Sequence, residues 1–262
     1  MRRRFELTVI AAISAVVLPF QAWAQGNAAL APIQAYSDRL EIVLNDSGSS
    51  DLTGLVVPDL QQVLDQRYSR FREDFPEVTW RVEPAEPLAD GRPTLLITVS
   101  GEARSEGLDY LLEARERIAV RLEAGQMQEQ ELLEQQSLLR SGERPLPVTL
   151  DIPDSVLTGS RYDVDLIVNE PLGKALVAGG LIDLTESQVL TQSRPNLPLE
   201  PLGGGGLFKT VQAPQVPGSQ TWALMLVHPD GVVTATKRVR AGNSRSALSS
   251  SSFRVRDGDR TH

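Results

Sequence analysis

Turn residues cut the second half of the chain so often that it has room for short strands and little else. Residues 148–152, 162–168, 176–184, 207–211, 221–227 and 232–239 are six apolar or alternating runs, separated by Pro, Gly, Asn and Asp. The sharpest local signal is TWALMLV-HPDG-VVTATKRV, which reads as a hairpin. Pro229 fixes φ at the first turn position and Asp230 suits the second. Gly231 is expected in a left-handed position that feeds the returning strand. Residues 221–227 are apolar on both faces, which places them centrally in a sheet or between sheets.

Six or seven short strands over 143–241 resemble an immunoglobulin-like sandwich in architecture. The chain has no cysteine, so the disulfide that marks many such domains is absent, and the resemblance is one of layout alone. The preceding stretch, 38–142, reads as a small α+β unit behind a loose lead-in, 25–37. Residues 39–44 (RLEIVL) read as a strand and 45–54 as a polar loop. Residues 59–75 place Leu60, Val63, Leu64, Tyr68, Phe71 and Phe75 at helical intervals after Pro58. Residues 78–82 and 94–99 read as strands. Residues 107–141 support two readings. Leu108, Leu111, Leu112, Ile118, Ala119 and Leu122 fit a helical hairpin with Gly125 and Gly142 as caps, while Ile118, Val120 and Leu122 also alternate as in a strand. The helical match is longer and is the expectation carried forward.

The first 24 residues have the three parts of a signal peptide: a basic head at Arg2–Arg4, an apolar run over 7–20, and Ala22-Trp23-Ala24 before a cut at Gln25. The implied destination is periplasmic or extracellular, with no transmembrane span after cleavage. Arg2, Arg3, Arg4 and Glu6 sum to +2, so cleavage takes the net charge from −8 to −10. An acidic chain repels phosphate backbones, which argues against nucleic acid as a partner. Residues 242–262 are serine-rich, too poor in apolar surface to order themselves, and read as a disordered tail.

Catalytic sets are incomplete. Gly203–Gly206 followed by Lys209-Thr210 nearly spells a phosphate loop, but Phe208 replaces the second glycine. Prolines at 195, 198 and 201 precede it, and Pro214 and Pro217 come after, so the required strand and helix have no place. The four glycines read instead as a crossing between strands. No nucleophile elbow exists, and His228 and His262 are the only histidines. No cofactor is expected, with Ca²⁺ the one ion considered: Asp163 and Asp165 share a strand face and could hold it with loop oxygens. Trp80 and Trp222 are core residues by position or, in the functional alternative, stacking platforms for sugar. The reading is an exported, non-catalytic protein acting through protein or cell-envelope contacts. The alternatives are a carbohydrate- or calcium-binding protein, or a hydrolase built on carboxylates alone.

Overall fold

The computed structural model describes residues 30–46, 51–105, 107–142, 145–171, 175–191 and 196–243. The expected signal peptide and nearly all of the expected 242–262 tail lie outside the described residues. The protein is mostly antiparallel β-sheet with a small helical N-terminal part, and its layers are sandwich-like.

The chain opens with α1 (Leu30–Asn45) and α2 (Pro58–Asp74). The first corrects the expected strand at 39–44 and the loose lead-in before it. Ile33, Tyr36, Leu40 and Leu44 recur at helical spacing and all are buried, whereas Ile42 is 70% exposed. A strand that buried Leu40 and Leu44 would have buried Ile42 with them. Helix α2 matches its expectation: Pro58 sits in the first turn and Leu60, Leu64, Tyr68 and Phe71 face inward.

Four strands then form a meander: β1 (Glu77–Ala85), β2 (Thr94–Ser105), β3 (Leu108–Glu123) and β4 (Gln126–Ser141). The last two correct the helical hairpin expected over 107–141. They pair along their length around a turn at Ala124 and Gly125, with φ of 50° and 80°. Two successive positive φ values suit the right-handed twist of a tight hairpin, so Gly125 turns a strand rather than capping a helix. Residues of both parities are buried in mid-strand, from Glu116 to Val120, which erased the alternation.

The remaining strands are β5 (Val148–Asp151), β6 (Ser155–Leu157), β7 (Arg161–Val168), β8 (Val177–Leu184), β9 (Glu200–Leu202), β10 (Gly206–Gln212), β11 (Gly218–His228) and β12 (Gly231–Gly242), with a short α3 (Glu186–Thr191) after β8. The six expected strands are all present. The β11–β12 hairpin closes with His228 opposite Gly231. Gly231 is not left-handed, which corrects its expected role. It is required because a Cβ there would lie 1.8 Å from the Ser141 carbonyl oxygen.

Among the described residues, one sheet runs β1-β2-β3-β4-β12-β11-β8-β9 with β6 beside β12, and a second runs β10-β7-β5. The large sheet joins the two halves of the chain through β4 and β12, paired from Val232–Ser141 to Arg238–Gln135. Two cores lie on its opposite faces. Helices α1 and α2 cover one face with Leu112, Ile118 and Val120; the small sheet covers the other with Trp222, Leu224 and Ala235. Leu138 and Leu139, adjacent on β4, point one to each core.

Candidate functional site

Strand β7 alternates as its sequence dictates. Tyr162, Val164, Leu166 and Val168 enter the core, while Asp163 and Asp165 face outward. Pairing adds neighbours to that outer face. Asp151 on β5 stands opposite Asp165, and Phe208 and Thr210 on β10 stand opposite Asp165 and Asp163. The Thr210 hydroxyl donates to Asp163 Oδ1 at 2.7 Å. Partial burial, and then repulsion from Asp163 and Asp151, push the Asp165 carboxyl above its ordinary range; the Lys209 N–H, which donates to it, offsets part of this. Among the described residues no three acidic or histidine side chains are grouped to hold a metal ion. The face is acidic, with a phenyl ring beside it: Phe208 is 61% exposed.

Among the described residues, the small sheet ends in a strand, β10, with a partner on one side alone. A sheet edge presents unpaired N–H and C=O groups, and proteins cover or shorten such edges. At β1 the cover is α1: Asn45 accepts from Trp80 N–H at 2.9 Å and donates to Trp80 C=O at 2.8 Å, while Glu41 accepts from Val82 N–H at 2.7 Å. Strands β5 and β9 are four and three residues long. Strand β10 is seven residues long, and from Phe208 to Thr210 it is exposed. Lys209 N–H points at β7, where Asp165 accepts it. Alternation therefore turns the Phe208, Thr210 and Gln212 N–H groups to the open side. Lys209 itself shares the inward face with Leu207 and Val211, yet is exposed, a charge that discourages unselective pairing.

The other residues marked by sequence lie elsewhere. Gly203–Gly205 form an exposed bend between β9 and β10, and Gly206 opens β10, so the near phosphate loop leads into a strand and has no helix after it. Trp80 is 2% exposed and packs edge-on against Tyr68 and Phe71 at 5.4 Å. Trp222 is 5% exposed, and its Nε1–H donates to the Tyr162 hydroxyl at 2.8 Å. Each ring belongs to a different core, and neither offers a face on which a sugar could stack. His228 accepts from Asp230 N–H at 3.2 Å and caps the hairpin turn.

Two features escaped the sequence reading. Glu116 on β3 is buried and accepts from Gln135 Nε2 at 2.7 Å. Burial drives its carboxyl well above the ordinary range, against the pull of the Gln135 bond, Arg67 and Arg238. On the opposite face, Arg117 pairs with Glu134 at 3.2 Å and Lys237 pairs with Asp154. The first pair joins β3 to β4, and the second ties β12 to the segment between β5 and β6. A groove of about 590 Å³ lies away from them, lined by Leu44, Asn45, Arg72, Val78, Glu77 and Glu102. Glu77 and Glu102 are cross-strand neighbours, both exposed. They form an open rim rather than an enclosed cleft.

Comparison with known families places a match on the second half of this chain. Residues 143–242 fit the model of a family described as a domain of unknown function (DUF8623). The match spans β5 through β12, and so includes the whole of the small sheet with its open edge. No curated protein matches the chain.

Proposed function

We propose that this is an exported, non-catalytic protein of the cell envelope that works by protein–protein contact, with β10 as the contact strand. The observation that carries the reading is the open edge of β10, seven residues long, with the exposed Phe208 ring on it. An extended segment of a partner would add beside β10, drawing affinity from main-chain hydrogen bonds and selectivity from alternate side chains. In this reading the two packed layers of the second half are an immunoglobulin-like sandwich, a layout that exposes strand edges for such use. Export is inferred from the leader. Among the described residues, no helix is long and apolar enough to cross a membrane.

Site-specific photo-crosslinking in the native host tests this. A crosslinker placed in turn at Phe208, Thr210 and Gln212 is expected to capture successive positions of one extended segment of an envelope protein, stepping two residues at a time. A crosslinker at Asp59 on α2 serves as the control. Adducts at β10 no different from those at Asp59, or a chain that stays in the cytosol with Met1 intact, would overturn the proposal.

A further inference from the structure

The outer face of the small sheet sets carboxylates beside the β10 edge. Asp151, Asp165 and Phe208 stand in one row across β5, β7 and β10, and Asp163 and Thr210 stand in the next. The row after that holds Arg161 and Gln212, both exposed. Like charges on neighbouring strands repel. The charges that act on Asp165 are those of Asp163 and Asp151, with no cation among them. Among the described residues, the paired positions of this face therefore carry three carboxylates and one guanidinium, and the acidic part is the part beside Phe208 and Thr210.

A strand added to β10 would continue these rows. The Phe208, Thr210 and Gln212 N–H groups point to the open side, so residues that pair with them set their side chains on the same outer face. From the added strand to β7 is two strand spacings, about 10 Å. A Lys or Arg side chain and an aspartate close that gap between them; a shorter side chain does not. On the way the cationic head passes over the exposed Phe208 ring, whose face attracts it. The opposite face asks for something else. There the added residue beside Lys209 meets a positive charge, and those beside Leu207 and Val211 meet apolar groups. A second copy does not supply the cation. Strand β10 paired antiparallel with its own copy would bring Gly206, Phe208, Thr210 and Gln212 to the outer face, and none of these is basic.

We propose that the segment captured by β10 is a cationic polypeptide strand, with Lys or Arg at the two alternate positions beside Phe208 and Thr210 and neither beside Lys209. The proposal rests on β10 being the contact edge and names the chemistry of its partner. Charge steers the encounter, and alternation fixes the register, because a slip of one residue moves the basic side chains onto the Lys209 face.

Amide NMR spectra of the chain from Gln25 to His262, titrated with two synthetic peptides, test it. The first is Thr-Val-Arg-Thr-Arg-Val-Thr, which antiparallel to β10 sets its arginines beside Thr210 and Phe208. The second has Gln in place of both arginines. The arginine peptide is expected to shift the Phe208, Thr210 and Gln212 amides and to bind about tenfold more tightly than the glutamine peptide. Asp163→Asn/Asp165→Asn is expected to abolish that difference. Asp59→Asn/Glu73→Gln removes as much charge from exposed positions of α2, away from the small sheet, and is expected to preserve it. Melting temperatures confirm that both variants are folded, and the comparison of the two peptides on the native chain stands without them. Equal binding of the peptides at β10 overturns the proposal and leaves the contact edge standing. So does an arginine preference lost equally in both variants, which would reflect bulk charge alone. Amides of β10 that move on dilution without peptide make a second copy the occupant and overturn it too. Amides of β10 that neither peptide moves remove the contact edge and the proposal together.

Discussion

At Gly142 and Gly231 the absence of a side chain is a packing requirement. A Cβ on Gly142 would lie 1.9 Å from the Asp230 carbonyl oxygen, and one on Gly231 would lie 1.8 Å from that of Ser141. Both contacts are to backbone, which cannot swing aside. Gly231→Ala is expected to cost about 3 kcal/mol, at the upper end for overpacking, read as a lower melting temperature. Glu116 gives a pH-dependent prediction. Unfolded, its carboxyl titrates near the ordinary 4.5; folded, burial holds it well above that. Between those limits the folded state keeps a proton that the unfolded chain has lost, so stability falls as pH rises through the window. Glu116→Gln removes that loss. Its melting temperature relative to wild type is expected to climb from pH 5 to pH 8; a flat difference would show that Glu116 does not titrate as argued.

The edge strand β1 depends on a helix for its hydrogen bonds. Asn45 stands in for a neighbouring strand, meeting both the N–H and the C=O of Trp80. Asn45→Ala should cost about 1–3 kcal/mol and promote concentration-dependent association through the bared edge. Asn45→Asp keeps the acceptor and loses the donor, so chemical denaturation should place it between the two. Elements of this kind were legible only in part. Residues 58–75 and the strands after 147 carry local signals strong enough to read: helical spacing after a proline, and short runs between turn residues. Residues 108–141 do not. Their two 16-residue strands lie between neighbours inside a large sheet. Mid-strand they bury Glu116, Glu134 and Gln135, residues with little strand propensity, because Gln135 donates to Glu116 and Arg117 pairs with Glu134 across the two strands. The Ala-Gly turn was the signal that could have corrected the reading. At α1 the helical pattern begins at Ile33, ahead of the 39–44 window taken as a strand. At the proposed site, the outward pair Asp163 and Asp165 follows from alternation alone. The openness of β10 does not, because it depends on which strand lacks a neighbour. Trp80 and Trp222 show the converse limit: residue type admits both a core role and a binding role, and burial decides between them.

Two cores on opposite faces of one sheet make cooperativity a property of the β4–β12 ladder. If the halves were joined only by a linker, each core could melt alone. Instead seven residue pairs run from Val232–Ser141 to Arg238–Gln135, braced by the buried hydrogen bond between the Ser137 and Thr236 hydroxyls and by Lys237 Nζ, which donates to Gln136 Oε1 at 3.3 Å. Opening either core strips a neighbour from this ladder and unpairs polar groups that were satisfied across it, a penalty shared by both halves. The sequence provides a reporter for each. In a chain that begins at Gln25, the cut expected from the sequence, Trp80 and Trp222 are the two tryptophans, and each belongs to a different core. Single-tryptophan chains carrying Trp80→Phe or Trp222→Phe will differ somewhat in stability, so each should be compared with its own far-ultraviolet circular dichroism transition. Fluorescence and circular dichroism are expected to coincide in both, the mark of a two-state transition. Leu112→Ala in one core and Leu224→Ala in the other should each lower stability by about 2–5 kcal/mol, and each should shift the transition reported by the distant tryptophan as fully as that of the near one. Two separated transitions, or a substitution felt only by its own core, would mean that the shared sheet does not couple the halves.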